Sequence, residues 1–161
     1  MATQQDYNKA MELIKRAMDH QMAGELDDSI RLYKQSIALC PTADAHTYLG
    51  WAYSFQGRID EAISQCEIAI QIDPEFGNPY NDIGVYLMQQ EKLDEAIPWL
   101  EKAKKANRYE PRHFPHYNLG RAFLGKEIYS QAMRCFQEAL HIEPRYGLAR
   151  QALESLRRML N

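Results

Sequence analysis

Apolar and small residues along this chain fall three and four places apart in short windows; Ala62, Ile63, Cys66 and Ala69 are one such set. That spacing lays them on a single helical face, with polar residues on the other. The set also returns at a longer interval. Four units starting at residues 10, 43, 77 and 113 align Ala17, Gly50, Gly84 and Gly120 at their eighth positions. Their twentieth positions are Ser29, Ala62, Ala96 and Ala132, and their twenty-seventh Ser36, Ala69, Ala103 and Ala139. Small residues at fixed places mark where two helices approach closely. Larger residues recur between them: Ile30, Ile63, Ile97 and Met133, then Tyr33, Cys66, Leu100 and Phe136.

The punctuation repeats as well. Asp27, Asp60, Asp94 and Ser130 share position eighteen and are residue types that cap helix N-termini. Pro41, Pro74 and Pro144 follow each unit's second helix, and Pro79 and Pro115 fall in the first turn of the next. Pro98 comes four residues after Asp94, a placement that reads as the first turn. Sustained period-two alternation is absent, so no sheet is expected. Each unit thus reads as two helices of about 14 residues, roughly 21 Å long. Such a pair buries its apolar face only by stacking on its neighbours.

The pairs Leu49-Gly50 and Leu119-Gly120, the large residue three places on (Tyr53, Leu87, Phe123), the two small residues and the proline resemble the tetratricopeptide repeat. The resemblance covers roughly residues 10–146. It implies an all-α, right-handed α-solenoid of four helix-turn-helix repeats at about 10–42, 43–76, 77–112 and 113–146. Residues 147–160 read as an amphipathic capping helix, with Leu148, Ala152, Leu156 and Met159 inward and Arg150, Glu154, Arg157 and Arg158 outward. Residues 1–161 then form one domain. Two departures stand out. The first unit has Arg16-Ala17 and His20 where the second and fourth have Leu-Gly and an aromatic, as a degenerate end repeat would. The third has Arg108 in place of its proline and Lys104 at an apolar position, so a basic joint at 104–112 is expected to be looser or longer than the others.

Net charge is −3 but unevenly spread: residues 1–99 carry −9 and residues 100–161 carry +6. The split suggests an acidic partner for the C-terminal end, or head-to-tail self-association. No apolar run approaches membrane-spanning length, so no membrane insertion is expected. Met1–Met11 lacks the basic start and apolar middle of a signal peptide. Cys40, Cys66 and Cys135 are odd in number and widely spaced, as buried thiols in a reducing compartment would be. Together these indicate a cytoplasmic protein, and Met1 with the capping helix suggests a complete small one.

Nothing in the sequence indicates catalysis. The eight glycines are scattered and form no phosphate-cradling loop, and no nucleophile–base–orienter set is assignable. His113 and His116 share a spacing that suits one helix face, but zinc needs further ligands and none follows nearby. His20 and His141 show no partner. The expectation is no cofactor, no metal and no enzyme activity. Nucleic acid is not expected either, since the basic residues form no concentrated face.

In the family this chain resembles, positions 2, 5, 6, 9 and 12 of each unit's first helix face a concave groove. These are Asp44, Thr47, Tyr48, Trp51 and Ser54 in the second unit, Asn78, Asn81, Asp82, Val85 and Met88 in the third, and Phe114, Tyr117, Asn118, Arg121 and Leu124 in the fourth. The resemblance therefore implies a non-catalytic scaffold or adaptor that binds a peptide or protein segment through Thr47, Tyr48, Trp51, Asn78, Asn81, Val85, Met88, Tyr117, Asn118 and Arg121. Aromatic and apolar members supply buried area, and amides and the arginine fix orientation. A continuous asparagine ladder is not expected, because Tyr48 and Asp82 hold the positions equivalent to Asn118. The lysine clamp of some chaperone-binding members is missing, since the first unit offers Ile14, Lys15 and Met18. The alternative is a structural protein that assembles by stacking its acidic end on its basic end.

Overall fold

The computed structural model describes residues 1–161 as nine α-helices with no strand. They are α1 (Gln4–Met22), α2 (Leu26–Leu39), α3 (Ala43–Phe55), α4 (Ile59–Ile72), α5 (Asn78–Gln89), α6 (Leu93–Lys105), α7 (His113–Gly125), α8 (Tyr129–Ile142) and α9 (Gly147–Leu160). Each helix packs on the one before it, and α1, α3, α5 and α7 also touch in succession. The first helices of successive pairs thus form one inner row, and the architecture is an all-α helical repeat solenoid.

The small residues sit where the helices of a pair cross. A Cβ on Gly50 would lie 2.9 Å from the Ala62 carbonyl oxygen, one on Gly84 2.6 Å from Leu100, and one on Gly120 2.4 Å from the Phe136 ring. Ala62, Ala96, Ala132, Ser29 and Ser36 are fully buried on the facing helices. Ser36 also donates its hydroxyl to the Ala10 carbonyl at 2.9 Å, tying α2 to α1. The first helix reaches back to Gln4, ahead of the first aligned unit, because Thr3 and Asp6 bond reciprocally as a capping box.

The helix starts differ from the sequence expectation. Asp27, Asp60, Asp94 and Ser130 are not N-caps. The second helices begin two residues earlier, behind Glu25, Arg58, Lys92 and Ile128, and none of these makes a side-chain cap. The reason lies one residue further back. Gly24, Gly57, Glu91 and Glu127 take positive φ (81°, 75°, 62° and 60°), and the chain enters the helix directly from that turn. The aspartates stand in the first turn, where their charge suits the helix dipole. They also bond forward: Gln56 Nε2 donates to Asp27 at 3.2 Å, Gln90 Nε2 to Asp60 at 2.9 Å, and Lys126 pairs with Asp94. One position thereby links each repeat to the next.

Two further expectations are corrected, and a third holds in part. Pro98 is the sixth residue of α6, past the first turn; it is solvent-exposed, so the Asp94 carbonyl that loses its intrahelical partner is near water. The joint after α6 is longer than the others but not loose. Arg108 N–H donates to the Glu75 carbonyl at 3.0 Å and Gly77 N–H to the Arg108 carbonyl at 2.9 Å, pairing this loop with the preceding one. Arg108 also pairs with Asp73 at 2.8 Å and Asp44 at 3.5 Å and stacks on the Phe76 ring. Buried Tyr109 fills the space over Gly77. In α9 the inward face is Ala149, Leu153 and Leu156, while Leu148 and Met159 are exposed, because the helix docks along α8 on that stripe.

Candidate functional site

The inner row of helices and the pinned loop border an open cavity of about 450 Å³. Thr42 caps α3 by accepting from Ala45 N–H at 3.1 Å, and Pro79 and Pro115 begin α5 and α7 with φ already helical. These starts aim Thr47, Tyr48 and Trp51 from α3, Asn78, Asn81 and Asp82 from α5, and Phe114 and Asn118 from α7 into one space. Met18 of α1 closes one side, and Tyr109, Glu110 and Pro111 form another wall. A shallower depression of about 370 Å³ continues past Tyr48, Asn78 and Tyr109 toward Arg108 and Arg112. Beyond Trp51, an apolar hollow of about 380 Å³ lies between Met22, Leu26 and the exposed Phe55.

Of the ten residues assigned to binding from the sequence, six line the main cavity: Thr47, Tyr48, Trp51, Asn78, Asn81 and Asn118. Thr47 is buried, and its hydroxyl donates to the Ala43 carbonyl of its own helix at 2.7 Å, so it contributes shape only. The two amides are buried cross-links. Asn118 Nδ2 donates to Asn81 Oδ1 at 3.0 Å, and Arg121 donates to Asn118 Oδ1 at 3.2 Å. The other four lie elsewhere. Met88 packs between two core clusters, and half-buried Val85 lies outside the cavity. Tyr117 packs between Phe136 and, edge-on, Tyr146, and exposed Arg121 sits 5.8 Å from the Tyr117 ring centre. Sequence reasoning missed the wall at Tyr109–Pro111 and the share of Met18. The insertion that disrupts the repeat period at 104–112 was the available signal for the first.

Asp82 is half-buried and has no cation within ion-pair distance. Its one side-chain hydrogen bond comes from Asn81 Nδ2 at 3.4 Å. Burial pushes its carboxyl up to about 7, against the small lowering by Asn81. Around it the Tyr48, Tyr86 and Tyr109 phenols and the Cys66 thiol are all pushed up, chiefly by burial, so they stay neutral.

The histidines are engaged elsewhere. His20, expected to lack a partner, pairs with Glu25 on the exposed α1–α2 turn, where Asp28 is held by Arg31. His116 pairs with Glu138 at 2.9 Å, whereas His113 packs edge-on against Phe114 and at a tilt against Tyr146. No helix is long and apolar enough to cross a membrane.

Residues 43–76 and 78–109 each match the tetratricopeptide repeat family model. An uncharacterized protein of Haemophilus influenzae is 31% identical over 64 residues, which is 40% of this chain and 36% of that protein. The chain therefore spans about a third of the length of that relative. Among solved structures, Pseudomonas aeruginosa PilF superposes with a TM-score of 0.86 at 20% identity, covering 93% of this chain and 68% of that one. YrrB, a repeat protein described as having an unusual peptide-binding site, superposes with a TM-score of 0.66 at 21% identity, covering 93% of this chain and 81% of that one. At these identities the superpositions speak for the fold alone. Residues 43–76 and 78–109 are thus tetratricopeptide repeats, of a family whose members are generally interaction modules rather than catalysts.

Proposed function

We propose that this protein is a non-catalytic scaffold that holds an extended segment of a partner along its inner row of helices. The observation that carries the reading is the cavity of about 450 Å³ where α3, α5 and α7 converge, walled by Tyr48, Trp51 and Phe114. Pockets of this kind, with aromatic walls and a few fixed polar groups, suit anchor side chains of a peptide. The peptide-binding description of YrrB supports the same reading. The exposed carbonyls and N–H groups of an extended segment would meet Asn78 and the spare hydrogen-bonding positions of Asn81 and Asn118. The three free cysteines, two of them buried, support a reducing, cytoplasmic setting.

The test is selection from a phage-displayed library of random peptides. Wild type enriches clones, and Trp51→Ala retains none of them while its helicity and melting stay close to wild type, because Trp51 lies outside the buried core clusters. Equal retention by Trp51→Ala would place binding elsewhere.

A second reading, head-to-tail self-association, draws on exposed apolar residues near the two ends of the array: Met22 and Phe55 at one, Leu148, Met159 and Leu160 at the other. Light scattering separates it. A mass that grows with concentration and shrinks back with salt would favour assembly through the −9 and +6 halves.

A further inference from the structure

The main cavity has walls that suit a cation and supplies none of its own. Its lining includes two carboxylates, Asp82 and Glu110, and no lysine, arginine or histidine. Neither carboxylate takes part in an ion pair, whereas Asp44, in the neighbouring depression, is occupied by Arg108 at 3.5 Å. A half-buried carboxylate without a counter-ion is costly to keep, and such a group in a cleft is a candidate for ligand contact. Tyr48, Trp51 and Phe114 add aromatic side chains to the lining, a residue type that attracts cations and packs on an aliphatic stem. The N-terminal 99 residues, which supply Asp82 and most of this wall, carry −9 overall.

We infer that this cavity takes a lysine or arginine side chain of an extended partner segment, its charge meeting Asp82 and its stem lying against Tyr48, Trp51 and Phe114. The inference rests on the groove reading above and adds the chemistry of the anchor. It also implies exclusion: an acidic tail at this point would face an unpaired carboxylate.

The probe is a set of nine-residue peptide pools, acetylated and amidated at their ends, each with one position fixed as Arg, Lys, Leu or Glu. Binding is read by fluorescence anisotropy at pH 8 and pH 6. At pH 8 the Arg and Lys pools at one position bind about tenfold or more tighter than the Leu and Glu pools. Asp82→Asn abolishes the preference for the Arg pool over the Leu pool, and exposed Glu110→Gln weakens that preference in part. In wild type the preference shrinks from pH 8 to pH 6 as Asp82 takes up a proton. The groups facing it from α3, α4, α5 and the loop, namely Tyr48, Cys66, Tyr86 and Tyr109, are neutral throughout that range. If Asp82→Asn fails to fold, the wild-type pH arm and Glu110→Gln still decide.

Pools that bind equally whatever residue is fixed, and that are lost in Trp51→Ala, would overturn the cationic anchor and leave the groove reading standing. An unacetylated copy of the pools serves as the control: binding by that copy alone, through its N-terminal amine, would overturn the side-chain assignment. Absence of binding by every pool would overturn both.

Discussion

Gly120 and Asp82 show how single residues set the terms here. A methyl group on Gly120 would enter the ring of Phe136, which is fully buried and has nowhere to go. Alanine gains up to about 1 kcal/mol of helix propensity over glycine, but overpacking costs about 1–3 kcal/mol. Gly120→Ala is therefore expected to be destabilising, measured as a lower midpoint in urea. Asp82 acts on stability through pH. Its carboxyl holds a proton up to about pH 7 in the folded chain, well above its ordinary value of 3.8. Between those values the folded state binds more protons than the unfolded one, so stability falls as pH rises through the window. Asp82→Asn removes that slope, and its melting temperature gains on wild type between pH 5 and pH 8. Tyr48, Trp51, Phe114 and the asparagines near Asp82 were legible in the sequence because the family's facing positions map onto them, whereas Tyr109 was not. The carboxylate's isolation was not, because it depends on which cations three helices and a loop bring near.

At the scale of elements, the repeat period made the helices and their crossings legible. Gly50, Gly84 and Gly120 fall where helices cross, and the alanines face them. The helix starts were misplaced by two residues, since a positive-φ residue rather than a capping side chain sets them, and two of the four are glutamates with no sequence signature for that conformation. The loop after α6 was read as looser or longer than the others because Arg108 and Lys104 break the register of its proline and apolar positions; it is longer. In the structure Tyr109 and Arg108 replace that register with long-range contacts to Phe76, Gly77 and Asp73. Tyr109→Ala is expected to cost about 3 kcal/mol, far more than exposed ion pairs of the Arg108 kind, each worth about 0.2–1 kcal/mol. Hydrogen exchange checks this: the Gly77 and Arg108 amides, each bonded across the two loops, exchange much faster in the variant.

For the molecule as a whole, stacking gives a continuous inner row of α1, α3, α5 and α7, and the loop at 106–112 folds onto that row instead of away from it. A surface that would be open in a regular array becomes a walled cavity at one place. The proposed function rests on that cavity, and the proposal can be tested directly. Isotope-labelled protein titrated with a peptide enriched by wild type in the phage selection, and followed by nuclear magnetic resonance, reports which groups the peptide meets. The account predicts shifts concentrated at the Trp51 indole, the Asn78, Asn81 and Asn118 side-chain amides and the Tyr109 backbone. Shifts confined to α9 around Leu148 and Arg150, with Trp51 and Asn118 unmoved, would contradict it.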